Sequence, residues 1–470
     1  MGSRPLPLAS RGSEMGITHR LASFVVGTDY AAFPRAAIDN CKANILDYLG
    51  VALAGIRTDA GRIIMEFARE NGEGGVAGIL GGRLRTSPSV AALVNGVLGH
   101  ALDYDDVNWS LKGHPTVPLL PALLAIGEDR QASGKEIITS YILGYEVEAK
   151  IGLGVNPEHY DRGWHSTATL GTFGALAGVS KLLRLDEHKV KMAFGIGASL
   201  TGGLVRNFGT MTKLLQVGNA ARNGVVAASL ASKGFTADEA ILEARGGFLE
   251  IFSPDKTQWE KVLDSLGNPF DIVDPGTVYK PYPCCAGGHP SIDAVLDLAS
   301  RNRFAAGDIE KVECGVHRRT TEAMFYHQLR TGLEGKFSLP YCISAAILDG
   351  KVGLEQFSDS RVADRKVQEL LPRVTVFIHP ELQAEESYSH RFTEITIHLR
   401  GGKVLRKRVY TPLGNPKNPL SVEMREKKFA ECTKGILAHT DRDQLLKIVN
   451  GLEEVENIGK LMQMLAFGTL

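Results

Sequence analysis

The sequence predicts a mainly α-helical protein: a large all-helical domain, with a smaller α+β unit inserted before the last helices. Three observations predict it. Apolar residues recur at helical spacing from about residue 17 to about residue 267. Strand-like alternation takes over after about residue 268, and helical spacing returns from about residue 418 onward. At 470 residues the chain is also too long for one simple core, which points to two domains. The boundaries read as 1–15 for an extension or tag-like stretch, 16–270 with 415–470 for the helical domain, and 271–414 for the α+β unit.

The first residues, MGSRPLPLASRGSEM, lack the apolar core of a signal peptide and stand outside the fold reasoning. AAIDNCKANILDYLGVALAG (36–55) is the first long amphipathic helix. Ser87-Pro88 then reads as N-cap and first turn of a helix carrying Val90, Leu93, Val94, Val97, Leu98 and Ala101 on its apolar positions. Asp103, Asp105 and Asp106 crowd the end of that helix. There the helix dipole disfavours negative charge by about 0.3–1 kcal/mol per exposed group. A sequence tuned for stability places Lys or Arg at such an end, so these acids point to another task.

GKEIITSYILGYEVEAKIGLG (134–154), TLGTFGALAGVSKLL (169–183) and DEHKVKMAFGIGASL (186–200) continue the helical series. Gly inside a helix costs about 1 kcal/mol against Ala. Gly171, Gly174, Ala175 and Gly178 therefore imply close helix–helix packing or room for a ligand. Further on, KLLQVGNAARNG suggests a helix opening at Gly-Asn-Ala-Ala, just after Lys213. IEKVECGVH (309–317), RVTVFI (373–378), EITIHLR (394–400) and KVLRKRVY (403–410) alternate like strands, with Gly401-Gly402 as a tight hairpin turn. FSLPYCISAAILDG and DSRVADRKVQELL read as one helix each between the first two strands. The final DRDQLLKIVNGLEEVENIGKLMQML returns to helix.

Composition narrows the function classes. The chain has 44% hydrophobic and 23% charged residues and a net charge of zero, with no run of like charge. That argues against a nucleic-acid partner. No apolar stretch reaches the roughly 18–20 residues a membrane helix needs, so no membrane partner is expected. Cys41, Cys284, Cys285, Cys314, Cys342 and Cys432 show neither disulfide-style spacing nor a C-x-x-C pair. A reducing, cytoplasmic-type compartment fits that pattern best.

Several residues could carry chemistry, and each has an ordinary alternative. The Asp103–Asp106 cluster, with His100 before it and His114 after it, is either a solvated loop or a working site. Its DYDD core resembles the magnesium-binding motifs of helical isoprenoid synthases, but no second Asp-rich helix follows to clamp a diphosphate. His165, beside Trp164 at a helix start, is either a packed histidine or one facing a pocket. Lys213 lies in mostly uncharged surroundings; if buried rather than snorkelling to solvent, it needs an anionic partner. Lys280 sits among aromatics and prolines before a helix that begins after His289-Pro290, a setting suited to carboxylate ligands. Tyr341 opens another helix and is either packing or a hydrogen-bond donor.

Taken together, and in their order along the chain, HALDYDD…GHPTVPLLPALLA, GWHSTATLGTFGA, KLLQVGNAARNG, ARGGFLEIF, YKPYPCCAGGHPSIDA and GKFSLPYCISAAILDG resemble the MmgE/PrpD family. This family includes 2-methylcitrate dehydratase, cis-aconitate decarboxylase and iminodisuccinate epimerase. The resemblance runs from about residue 17 to the C-terminus. It implies a helical domain with an α+β lid, a homodimer, an active site in the crevice between domains, and no metal or organic cofactor. It also implies pocket residues Asp103, His114, His165, Lys213, Lys280 and Tyr341, and, for the epimerase branch, Tyr160. A threonine of the decarboxylase branch falls at Val107, which removes one hydroxyl hydrogen bond for cis-aconitate.

The substrate class so implied is a small di- or tricarboxylate. Lys213 and Lys280 would bind it, one of them also moving a proton; His165 and His114 would act as acid–base groups, Asp103 would orient a histidine, and Tyr341 would donate from the lid. Dehydration of a 2-methylcitrate-like hydroxy acid is the favoured reaction. Decarboxylation of a cis-aconitate type, epimerisation of an iminodisuccinate type, and carboxylate binding without catalysis are the alternatives.

Overall fold

The computed structural model describes residues 16–467 except 73, 254–258 and 385–390; the expected N-terminal extension lies outside the described residues. Most expected helices form close to their sequence limits: Arg35–Gly55, Pro88–His100, Gly134–Val155, Gly171–Leu182 and Glu187–Leu200. Ser87 Oγ accepts from Val90 N, as its place before Pro88 predicts. The small residues serve close packing. A methyl group at Gly178 would lie 2.8 Å from the Ser140 carbonyl oxygen, so the Gly171–Leu182 and Gly134–Val155 helices touch backbone to backbone.

A second close approach sets up the cleft. A methyl at Gly96 would lie 2.8 Å from Gly218 Cα, and one at Gly218 only 2.4 Å from the Leu93 carbonyl oxygen. The Pro88–His100 helix is thereby pressed against the Met211–Ser232 helix, and its C-terminal end reaches Lys213. Gly218 lies in the middle of that second helix, which starts at Met211 rather than at Gly218. Thr210 caps it, its hydroxyl accepting from Thr212 N, so Lys213 belongs to the first turn.

One apolar core gathers residues from Leu21 to Ile272 and again from Phe429 to Leu465. A second joins residues from Tyr282 to Leu405 around a four-stranded sheet. Its strands, β1 (Ile309–Val316), β2 (Val374–Ile378), β3 (Thr393–Leu399) and β4 (Val404–Val409), are ordered β2-β1-β3-β4. The β1–β2 pair is parallel, with Cys314 opposite Val376; the other pairs are antiparallel, with Cys314 opposite Ile395 and Ile397 opposite Leu405. Gly402, at φ 78°, turns β3 into β4. Ile292, Val295, Ile343 and Ala346, from helices His289–Arg301 and Leu339–Asp349, are buried with the strand residues in this core.

Two helical expectations need correction. DSRVADRKVQELL is two short helices, Asp359–Val362 and Arg365–Leu370, because the Asp364 carboxylate caps the second by accepting from Lys366 N. The last stretch is also interrupted: helix His439–Asn450 stops at Gly451, and Gly459–Met464 forms separately. A short two-stranded pairing, Ala77–Gly78 with Arg85–Thr86, interrupts the stretch expected to be almost all helix.

Candidate active site

The acids after the Pro88–His100 helix do not end a helix unaided. Lys336 Nζ donates to the Leu102 carbonyl at 2.8 Å, Lys280 Nζ to the Asp103 carbonyl at 2.7 Å, and Lys428 Nζ to the Tyr104 carbonyl at 2.7 Å. Three lysines distant in sequence thus bring to this helix end the positive charge that its own last turn lacks. Asp106 is also explained. It accepts from Thr116 N and Oγ at the start of helix Thr116–Arg130, the favourable end of a dipole.

Asp103 adopts the left-handed conformation, φ 49°, which an aspartate tolerates at modest cost and which is held here by its surroundings. Its carboxylate is buried between two ammonium groups: Lys213 Nζ at 2.6 Å on Oδ1 and Lys280 Nζ at 2.8 Å on Oδ2. Lys213 is 2% exposed and Lys280 0%, so both belong to the buried alternative posed by the sequence. Burial alone would raise the Asp103 pKa, but the two lysines hold it well below the usual carboxylate range. Burial likewise works against the Lys280 charge, but Asp103 together with Asp105 more than offsets it, lifting its pKa above the ordinary value.

A histidine layer adjoins this triplet. His100 Nδ1 lies 2.9 Å from Asp105 Oδ2, and its Nε2 meets Lys213 Nζ at 2.5 Å. His114 Nδ1 lies 3.0 Å from the same Asp105 oxygen, and its Nε2 lies 3.8 Å from Asp103 Oδ1. Burial, reinforced by Lys213 though opposed by Asp105, lowers His100 to about 4, so it is neutral at working pH and can accept from the lysine. His165 Nδ1 sits 2.7 Å from Gln216 Oε1. Its Nε2 is buried and has no hydrogen-bond partner among the described residues. Burial and then Lys213 push its pKa well below the ordinary histidine value.

Asp103, His114, His165, Lys213 and Lys280 line a cleft of about 710 Å³ together with Val107, Tyr160, Phe208 and Phe337. Asp103, His114, His165, Lys213, Lys280 and Tyr160 are therefore brought together. Tyr341 is not with them. It is fully buried in the core around the four-stranded sheet, packed on Phe357, with its hydroxyl donating to the Gln356 carbonyl. Its position at a helix start said nothing about which way the ring turns, and the apolar core took it.

The sequence reading gave no role to Gln216, which orients His165, or to His100, which links Lys213 to Asp105. Helical spacing carried both signals, since Gln216 is three residues after Lys213 and His100 three before Asp103. Lys112, His317, Arg319 and Arg391 add further nitrogen groups to the cleft wall. The atoms of His100, Asp105 and His114 lie within 4.8 Å of one another, a spacing that suits a metal ion. His100 Nδ1, however, is already hydrogen-bonded to Asp105, whose carboxylate lies 3.0 Å from His114 Nδ1, and an ammonium occupies the approach to His100 Nε2. The arrangement is that of a hydrogen-bonded relay that fixes Lys213. Chemically, the site offers two fixed cations and an unmet imidazole nitrogen, which can hold an anionic substrate and exchange a proton with it.

Comparison with known proteins places the chain. Residues 19–260 match the MmgE/PrpD N-terminal domain and residues 282–454 the MmgE/PrpD C-terminal domain. Human cis-aconitate decarboxylase (Homo sapiens) is 28% identical over 96% of this chain and 94% of that protein. The mouse protein of the same name (Mus musculus) is 28% identical over 96% and 93%. Cis-aconitate decarboxylase of Aspergillus terreus is 25% identical over 97% of both chains. No helix among the described residues is long and apolar enough to cross a membrane. With both of its domain families matched in order along the chain, this protein belongs to the MmgE/PrpD family.

Proposed function

We propose that this protein is a carboxylate lyase that needs no bound cofactor and dehydrates a small hydroxy di- or tricarboxylate of the 2-methylcitrate type. The observation that supports this reading is the buried Lys213–Asp103–Lys280 triplet beside the unpartnered Nε2 of His165 on one cleft wall. Neutral His165 takes the proton from the carbon next to a substrate carboxylate. Lys280 and Lys213 stabilise the negative charge that builds on that carboxylate. Lys213, steadied by Asp103 and His100, gives a proton to the departing hydroxyl. A C–H and a C–O bond break, a C=C bond forms and water leaves; proton exchange with solvent then resets both groups. Val107, on the cleft wall where a threonine would serve cis-aconitate, suits a substrate methyl group.

Decarboxylation of a cis-aconitate-type acid is the second reading, favoured by the named activity of the relatives. Here a C–C bond breaks, carbon dioxide leaves, and Lys213 or a histidine protonates the carbon. With either reading we infer a lid over residues 271–414 and a homodimer. The exposed Leu200, Leu204, Met211 and Leu215 supply an apolar face for that dimer, to be checked by light scattering. Six free cysteines accord with a reducing, cytoplasmic setting.

The test is proton NMR in deuterium oxide with 2-methylcitrate, citrate, cis-aconitate and iminodisuccinate. Deuterium exchange next to a carboxylate, with an unsaturated product, supports the dehydratase. Itaconate-like product from cis-aconitate supports the second reading, exchange with inversion alone supports epimerisation, and neither exchange nor product across the panel sinks the lyase assignment.

A further inference from the structure

The Lys213 ammonium and the His165 ring share an aromatic stretch of the cleft wall. Phe208 lies just before the Met211–Ser232 helix, and Phe337 just before the Leu339–Asp349 helix. Lys213 Nζ is 5.0 Å from the centre of the Phe208 ring and 5.4 Å from that of Phe337, both within cation–π range. The two rings lie 5.3 Å apart, centre to centre. Phe208 also meets the His165 ring at 5.0 Å, nearly perpendicular to it. Both phenyls line the cleft yet are only 4% and 3% exposed. Lys213 thus has Asp103 and His100 as hydrogen-bond partners and two phenyl rings as its remaining neighbours in the wall.

The rings come from different domains. Phe208 falls in the stretch that matches the N-terminal family domain, Phe337 in the stretch that matches the C-terminal one. Tyr326 ties them together. Its N–H donates to the Phe337 carbonyl at 3.2 Å, and its hydroxyl donates to the Phe208 carbonyl at 3.0 Å. The Tyr326 ring packs on Gly209, at φ 82°, where a methyl group would lie 2.5 Å from its Cε2. Beside it Phe325 pairs with Ser338, and the Arg206 guanidinium lies 5.4 Å from the centre of the Phe325 ring. This second contact again joins the two domains.

We propose that Phe208 and Phe337 form an aromatic seal that keeps bulk water from His165 and Lys213, and that Tyr326 is the positioning residue that holds the two rings together across the domains. The proposal rests on the dehydratase reading above and assigns how the abstracted proton is kept. The unmet His165 Nε2 takes one proton from carbon. Walled from water, the imidazole keeps that proton until it returns to carbon or the unsaturated product leaves; a wetted imidazole exchanges it with solvent. The same wall strengthens the pull of the Lys213 charge on a bound anion, because little water remains to screen it.

The test is the partition between exchange and product, measured on the full chain in deuterium oxide with 2-methylcitrate or citrate. Early in the reaction, proton NMR counts deuterium in the remaining substrate against unsaturated product formed. That ratio does not depend on how much of a variant folds. In wild type, product should outrun exchange by about tenfold. Phe208→Ala and Phe337→Ala, which open room for water, should each raise the exchange-to-product ratio about tenfold. Phe208→Leu and Phe337→Leu, which refill the space with apolar volume, should stay within about twofold of wild type. Tyr326→Phe keeps the ring on Gly209 and removes only the hydroxyl; it should raise the ratio about fivefold. A merely structural role for these residues would lower the yield of folded enzyme and leave the ratio where it is. A ratio unchanged in both alanine variants and in Tyr326→Phe, or exchange outrunning product already in wild type, overturns the seal and leaves the dehydratase reading standing. Neither exchange nor product from either acid with wild type overturns the dehydratase reading itself, and the seal with it.

Discussion

Two buried ion clusters in this molecule carry opposite balances of charge. In one, Lys150 lies between two acids, 2.7 Å from Asp271 Oδ2 and 3.4 Å from Glu146 Oε1. The remaining oxygens are met as well: Glu146 accepts from Gly267 N and Asp271 N, and Asp271 Oδ1 accepts from Ser110 Oγ at 2.5 Å. In the other, a single acid, Asp103, lies between two lysines, and the neighbouring His165 Nε2 is left unmet at a cleft. The first cluster is closed, because backbone and hydroxyl donors satisfy its surplus of negative charge. The second is open, because its surplus of positive charge faces space that an anion can enter. Burial of charge alone therefore does not mark a site; the sign of the surplus and an unsatisfied partner do.

The largest contrast is expected from the two lysines. Lys213→Ala should lower kcat by about a thousandfold or more. The folded state should survive, since Lys280 still neutralises Asp103. A Lys213→Ala enzyme with near-normal turnover would remove the assignment. Lys150→Met should do the reverse, costing about 3–5 kcal/mol in denaturant unfolding because two buried acids lose their cation. Its kcat per folded molecule should stay near wild type; a large loss of kcat there would mean that the first cluster is not merely structural.

The histidines repeat the contrast on a smaller scale. His159 has both nitrogens engaged, Nε2 with Thr169 Oγ1 at 2.7 Å and Nδ1, which donates, with the Phe252 carbonyl at 3.2 Å. Burial lowers its pKa to about 4. Between the unfolded value of 6.5 and 4 the unfolded chain binds the proton and the folded one does not, so stability falls as pH falls. The stability gap between wild type and His159→Gln should shrink by roughly 2 kcal/mol from pH 7 to pH 5, read by urea unfolding at both. His165→Gln should instead remove turnover; because burial also holds His165 well below its ordinary value, it should flatten the pH dependence of stability in the same direction. The smallest effect is expected at Val107→Thr. One added hydroxyl hydrogen bond, about 1 kcal/mol, should lower KM for cis-aconitate about fivefold; no change would mean that this wall does not touch the substrate.

Legibility in the sequence followed the range of the interaction. Helices 35–55, 88–100, 134–155, 171–182 and 187–200 were readable because apolar period and local caps lie within a few residues of each other. The break at Ala363–Asp364 was missed because one aspartate decided it, accepting from Lys366 N against an otherwise helical pattern. The start of the Met211–Ser232 helix was missed for the opposite reason: Gly218 suggested an opening, yet its lack of a side chain serves contact with Leu93 and Gly96 inside the helix.

At the site, residue types singled out Asp103, His114, His165, Lys213 and Lys280, and the resemblance to the family added Tyr160; the cleft unites all six. They could not exclude Tyr341, whose orientation depends on the core around the four-stranded sheet. The residues alone specified the helical series, the strand-rich interval, the family and a set of groups able to exchange protons with a carboxylate. The tertiary structure decided that Lys280, Lys336 and Lys428, all more than 170 positions away in sequence, hold the loop of acids. It also decided that Lys213 and Lys280 share one carboxylate, and that this triplet lines the cleft beside His165. Local propensity acts over a turn or two of chain, whereas the balance of buried charge is settled only when distant segments meet in a medium too apolar to leave it unpaired.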